Sequence, residues 1–264
     1  MKRIGVSRRI LRCEAPFRIS PGVVLLLGSF SLFSTHLYAT SVVALIDHAN
    51  QRLVIATDCR VSKGPGSVSA CKIIQEPDCT VAMAGLYEEK STDFHLREFV
   101  RAACREPGDL RAKADAFLRI SRRPYEQAVT RIRKENPADF ANTIANKPTE
   151  VIFAGIQDGQ VGLIVRGLVV DFDGKIRVER FESTAPSYER IGYFVGLNGH
   201  IRSYIKSHPG WTTEDYAKLA PRFVELEIEA HPDLAGLPVS ALEIDKKGVV
   251  VWLAKGACDA RQSD

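Results

Sequence analysis

The sequence predicts an α+β domain in which two mainly antiparallel sheets lie between layers of helix. Three observations carry this. Continuous apolar runs at 42–46 and 53–56 have the length of strands buried on both faces. Short Gly-, Asp- and Asn-containing turns separate successive strand-like segments. The periodic segments follow one another as strands, two helices, strands, two helices, strands. In that order, two sheets between helix layers bury every apolar face.

The stretch 40–60 (TSVVALIDHANQRLVIATDCR) reads as a hairpin. Val42, Val43, Ala44, Leu45 and Ile46 form its first arm, and Leu53, Val54, Ile55 and Ala56 its second, with His48-Ala49-Asn50-Gln51 between them. It ends in Asp58-Cys59-Arg60. Residues 61–68 read as a Gly/Pro/Ser/Lys loop. Two further strands, 70–75 and 80–85, flank the turn Glu76-Pro77-Asp78.

A helix follows, with Ser91 as its N-cap and Phe94, Leu96, Phe99, Val100 and Ala103 recurring at helical spacing. The second helical block is 109–136, where Pro124 predicts a kink or two consecutive helices. Its Arg119, Arg122, Arg123, Arg131, Arg133 and Lys134 are interspersed with Glu126 and Glu135, the pattern of a solvated face. Strands resume at 150–156, 161–171 and 175–181, with turns at Asp158-Gly159 and Asp173-Gly174, and a short one at 191–195. Helices at 200–207 and 212–230 come next, the second with Thr212 and Asp215 in capping-box-like positions and a bend at Pro221. Strands at 239–244 and 249–253 close the chain.

The first 39 residues read differently. Segment 1–18 is basic, 21–33 (PGVVLLLGSFSLF) is apolar, and 34–39 is short and more polar, ending in Ala39. That is the layout of a secretory signal peptide cleaved before Thr40. The apolar run falls short of the ~20 residues that span a bilayer. Ser7-Arg8-Arg9-Ile10-Leu11 also resembles a twin-arginine export signal. The expected organisation is therefore a leader over 1–39 and a single domain over 40–264, periplasmic or secreted, with no stable membrane insertion after processing.

Charge follows the same division. Six basic residues against Glu14 give the leader a net +5, so the formal +4 of the whole chain leaves −1 for residues 40–264. A near-neutral domain gives no reason to expect a nucleic-acid partner. The histidines at 36, 48, 95, 200, 208 and 231 show no metal-ligand spacing, and neither a phosphate loop nor a Gly-x-Ser-x-Gly elbow occurs. No metal and no cofactor is expected. Five cysteines remain after the leader, Cys59, Cys71, Cys79, Cys104 and Cys258. Their number is odd, so disulfides and buried free thiols both stay open.

With these residues placed, the chain from Thr40 resembles the proteasome β-subunit family of N-terminal-nucleophile (Ntn) hydrolases. Thr40-Ser41-Val42-Val43 is similar to that family's opening Thr-x-x-Val. Ala56-Thr57-Asp58-Cys59-Arg60 resembles its Ala-Asp-x-Arg signature, Lys72-Ile73 its third-strand lysine, and Ala82-Met83-Ala84-Gly85 the apolar-then-glycine end of its fourth strand. The element order matches over roughly residues 40–255. Three departures stand beside the match. Ala39 occupies the place where self-processing relatives have Gly, which favours a signal peptidase as the step that frees Thr40. The turn after the first strand is slightly longer than the family's, which leaves one residue of slack in placing Thr40. In the second half, Gly196-Leu197-Asn198-Gly199 lacks the family's serine and Asp233-Leu234-Ala235-Gly236 keeps only the aspartate of Asp-x-x-Ser-Gly.

The resemblance implies a four-layer αββα sandwich and a threonine-type amide hydrolase, most simply a peptidase. Thr40 would be the nucleophile and its own α-amine the base. Such an amine titrates at about 7.7–8.0, so it is partly neutral at neutral pH. Lys72 would sit beside Thr40 as a cation, Asp58 would hold Lys72, and the Gly85 N–H would donate to the oxyanion. Arg60 and Asp233 would support the site from its loops. The expected substrate is a peptide or small amide, and a homo-oligomer is allowed by the resemblance. The competing reading is a catalytically silent Ntn-fold subunit that binds or scaffolds.

Overall fold

Two five-stranded antiparallel sheets frame a mixed α+β structure. The computed structural model describes residues 40–63, 66–183 and 190–258, all within one unit, Ser34–Asp264. The leader, Ala39 and the expected cleavage point lie outside the described residues. In chain order the main strands are β1 (Ser41–Asp47), β2 (Arg52–Thr57), β3 (Ile73–Glu76), β4 (Cys79–Ala84), β5 (Pro148–Gln157), β6 (Gln160–Val170), β7 (Ile176–Ser183), β8 (Arg190–Gly196), β9 (Ser240–Ile244) and β10 (Val250–Ala254). The main helices are α1 (Leu96–Arg105), α2 (Leu110–Glu135), α3 (Gly199–Ser207) and α4 (Tyr216–Ala230). The first sheet runs β8-β1-β2-β9-β10 and the second β7-β6-β5-β4-β3.

Three apolar clusters account for the burial. One packs Val81, Met83, Phe153 and Ile164 of the second sheet against α1 and α2, including Val100 and Phe117. One lies between the sheets, where Val42, Ile46, Ile55 and Leu242 meet Ala82, Ile152 and Leu163. The third packs Val43, Leu45 and Val54 against Ile201 of α3 and Leu219 and Phe223 of α4. Strand side chains alternate between faces. Val43 and Leu45 therefore face helix while Val42 and Ile46 face the other sheet, which is why the β1 run is apolar without interruption. Each fully buried Val, Leu, Ile or Phe of this kind contributes ~1.5–3 kcal/mol.

Several element boundaries differ from the sequence reading. Ser91 caps no α-helix: Phe94–His95 pairs with Glu88–Glu89, so α1 starts only at Leu96, with His95 at its N-cap and no side-chain cap. Residues 60–69, read as loop from 61 to 68, contain the paired segments Arg60–Lys63 and Gly66–Ser69. α2 continues through Pro124 as one helix of 26 residues. Phe117, Tyr125 and Val129 pack on both sides of the proline, and that burial outweighs the one helical hydrogen bond Pro removes. Thr212 lies in a 3-10 turn, and α4 begins at Tyr216 under an Asp215 cap whose Oδ1 accepts from Ala217 N at 3.2 Å. The turn at Asp158-Gly159 is confirmed by positive φ at both residues, 54° and 75°.

Candidate active site

The site begins with the β1–β2 hairpin. Its register sets Val42 opposite Thr57, which brings Asp58 beside the head of β1, where Asp58 N donates to Ser41 O at 3.2 Å. β9 pairs with β2 so that Ser240 lies opposite Thr57. The chain entering β9 therefore passes Asp58, and Gly236 O accepts from Cys59 N at 3.1 Å. β8 pairs with β1 on the other side, Gly196 opposite Ser41, and Leu197 N donates to Thr40 O at 2.8 Å. Gly196 has φ +75°, and a Cβ there would meet Thr40 O at 1.8 Å. Only glycine permits this approach, so the β8 side holds the Thr40 backbone while Asp58 holds the adjoining Ser41.

Asp58 is fully buried. Its Oδ1 accepts from Ser41 N at 2.9 Å and Lys72 Nζ at 2.8 Å, and its Oδ2 from Arg60 N at 3.0 Å and Gly236 N at 3.3 Å. Four donors on one carboxylate satisfy the requirement that a buried charge be paired and hydrogen-bonded.

Lys72 comes from the second sheet. It precedes β3, and its carbonyl accepts from Met83 N at 3.1 Å. Its side chain crosses to the first sheet, 1% exposed as a residue, where Nζ donates to Thr40 Oγ1 at 3.0 Å as well as to Asp58. Burial pushes the ammonium below its ordinary range, opposed by the Asp58 carboxylate. The result is a cation within hydrogen-bond distance of a hydroxyl, paired with a carboxylate that three backbone N–H groups also hold.

Thr40 opens on a cleft of about 640 Å³, a size suited to a small molecule or a few residues of peptide. Gly85 lines the same cleft. It has φ +105°, and a Cβ would lie 2.5 Å from Thr149 Cα. The backbone of Gly85 thus faces the cleft with no side chain and no room for one.

Lys72 joins Thr40 and Asp58 by hydrogen bonds behind the cleft wall, and Gly85 lines the cleft with Thr40. The other two predicted residues stand apart. Arg60 touches Asp58 only through its backbone N–H, while its Nη1 donates to Pro232 O at 2.5 Å and its stem packs on Gly236. Asp233 is exposed on that loop, whose Gly236 N–H donates to Asp58 and whose Leu234 lines the cleft.

Several features were not legible in the sequence. Disulfides join Cys71 to Cys258 and Cys79 to Cys104, and Cys59 is free and buried. The first bond anchors the residue next to Lys72. Cys59 Sγ and Cys258 Sγ both contact Ser240 Oγ, at 3.2 and 3.3 Å. Glu150, also in the cleft, accepts from Tyr193 Oη at 2.9 Å. A glutamate at the start of an apolar strand run and a tyrosine within another carry no sequence signal for that pairing. Among the described residues there is no group of His, Cys, Asp or Glu able to hold a metal, and no helix long and apolar enough to cross a membrane.

Compared with known proteins, the chain matches no family model and no curated sequence.

Proposed function

We propose that this protein is an exported threonine-type amide hydrolase with the four-layer Ntn-hydrolase fold, resembling proteasome β-subunits, and that Thr40 is its N-terminal nucleophile. One observation carries the reading: a threonine at the expected mature start has its Oγ1 3.0 Å from a lysine that a buried aspartate holds. The two sheets with helices packed against the outer face of each support the fold assignment.

In this mechanism the free α-amine of Thr40 takes the Oγ1 proton as the oxygen attacks the substrate carbonyl. The Lys72 ammonium stabilises negative charge developing on Oγ1 and keeps the neighbouring amine neutral. The Gly85 N–H donates to the oxyanion. The C–N bond breaks, the amine leaves with the proton, and an ester joins the acyl group to Thr40. Water then attacks that ester under the same base and returns the hydroxyl. Nothing in the chemistry asks for a metal or a cofactor, and the substrate is a peptide or small amide that fits the cleft.

The alternative, a silent binding subunit, is favoured by the stretch Gly196-Leu197-Asn198-Gly199, which brings no hydroxyl to the Thr40 amine. An acylation experiment separates the two. Exported protein is incubated with an activated peptide ester, quenched in acid and digested. An acyl adduct on the Thr40 peptide supports the hydrolase. No adduct with any ester of a broad panel, on protein verified to start at Thr40, supports the silent subunit.

A further inference from the structure

The Thr40 chemistry does not use the cleft's carboxylic acid. Glu150 lies on β5 opposite Ala84, the residue before Gly85, and is 8% exposed. Its parity with Ile152 and Ala154 turns it into the space between the sheets. There its Oε1 accepts from Tyr193 Oη, on β8 of the other sheet, at 2.9 Å. Phe181 stacks on the Tyr193 ring at 5.0 Å and fixes it. On the other side Glu150 faces Gly167, where a Cβ would meet Glu150 Cγ at 3.2 Å and Glu179 Cβ at 3.3 Å. The glycine therefore lets two glutamates approach along one cross-strand row.

Among the described residues no lysine, arginine or histidine pairs with Glu150. Burial, aided by Glu179 and opposed by the Tyr193 hydrogen bond, raises its pKa. The cleft's own cations are engaged elsewhere: Lys147 Nζ donates to Asn142 O, and Arg202 Nε to Asn198 Oδ1 at 2.9 Å. A buried carboxyl without a cation gains when one arrives, because the pair offsets the desolvation that neither group can avoid alone. Position fits as well. Tyr193 is three residues from Gly196, the residue that contacts Thr40, so the acid lies on the order of 10 Å along the strand from the nucleophile.

We infer that Glu150 and Tyr193 form a specificity subsite that takes a cationic group, an ammonium or guanidinium, on an extended peptide substrate. This rests on Thr40 being the reacting group of the cleft, and it names the substrate class. The carboxylate accepts from the cation while the Tyr193 hydroxyl donates to its Oε1 and holds it in place. A neutral chain of the same length leaves the acid desolvated and unpaired.

Binding tests the subsite without turnover. The Thr40→Ala variant of the exported protein is titrated calorimetrically with acetyl-Ala-Ala-Lys-amide and with the same peptide carrying norleucine. The lysine peptide binds roughly tenfold tighter or more, as close charge pairs at interfaces do. Adding Glu150→Gln, which can still accept from Tyr193, brings the ratio close to one. No binding of the lysine peptide, equal binding of the two, or a preference that survives Glu150→Gln overturns the inference. Hydrolysis by unmutated protein is scored separately. A lysine preference in binding without cleavage leaves the subsite standing and counts against the hydrolase, whereas cleavage with no preference does the reverse.

Discussion

Lys72 Nζ lies 2.8 Å from Asp58 Oδ1, with both side chains almost wholly removed from water. Removing one partner of such a pair costs about 3–5 kcal/mol, because it strands the other charge. Lys72→Ala is therefore expected to lower stability on that scale and to lower kcat by ~10²-fold or more, with a smaller change in KM. Lys72→Arg rescues poorly, since a planar fork does not replace a compact ammonium between two acceptors. Urea denaturation and a pH–rate profile on fluorogenic peptides measure the two effects. A stable, fully active Lys72→Ala would make Lys72 irrelevant to catalysis.

Thr40 is tied to the protein mainly through its backbone, so its side chain is separable from folding. Thr40→Ala removes the hydroxyl that Lys72 contacts and leaves the Leu197 N to Thr40 O bond intact. Turnover is lost while the melting temperature stays near that of the parent. Thr40→Ser keeps hydroxyl and amine and retains part of the rate. An alanine variant that hydrolyses peptides at the parent rate would remove the nucleophile assignment.

Much of this architecture was readable because it is local. The apolar runs of β1 and β2 and the Asp58 that ends the hairpin are separated by a turn and fixed by register. Lys72 is harder: only a resemblance, not spacing, ties it to Thr40, because its side chain crosses between sheets. The cysteine pairs were illegible for a related reason. Cys71 and Cys258 are 187 residues apart and meet only after both sheets have stacked. Asp233 is exposed on its loop, while Gly236, three residues on, reaches Asp58 through a backbone N–H, which no side chain in the sequence announces. Ser91 misled because a short strand pair consumed the residues before α1.

The disulfides give a thiol count. Among the described cysteines only Cys59 is free, and it is fully buried. Protein lacking residues 1–39 should show no reactive thiol when native and one when denatured; a retained leader adds Cys13. Replacing Cys258 by Ala removes a long-loop cross-link, worth typically 2–4 kcal/mol, and loosens the segment that carries Lys72. Thiol titration and guanidinium melts check both. Unchanged stability would show that the C-terminal anchor is dispensable.

Glu150 gives stability a pH dependence of definite sign. Its pKa is raised in the folded protein, chiefly by burial. Between the ordinary glutamate value and the raised one, the folded state holds more protons at this site than the unfolded chain does. Stability from this group is therefore present at acid pH and is lost as pH rises through that window. Glu150→Gln should flatten this part of the profile and make the protein relatively more stable at neutral pH. Urea midpoints from pH 4 to pH 8 test it, and parallel profiles for variant and parent would contradict it.

The proposed mechanism requires a mature chain that begins at Thr40, because the free amine there would be the base. The intact mass of protein recovered from the periplasm or medium measures that start. The expected mass is that of residues 40–264 less four hydrogens for two disulfides. A mass that retains the leader, or one that starts at any other residue, leaves Thr40 without its amine and contradicts the mechanism.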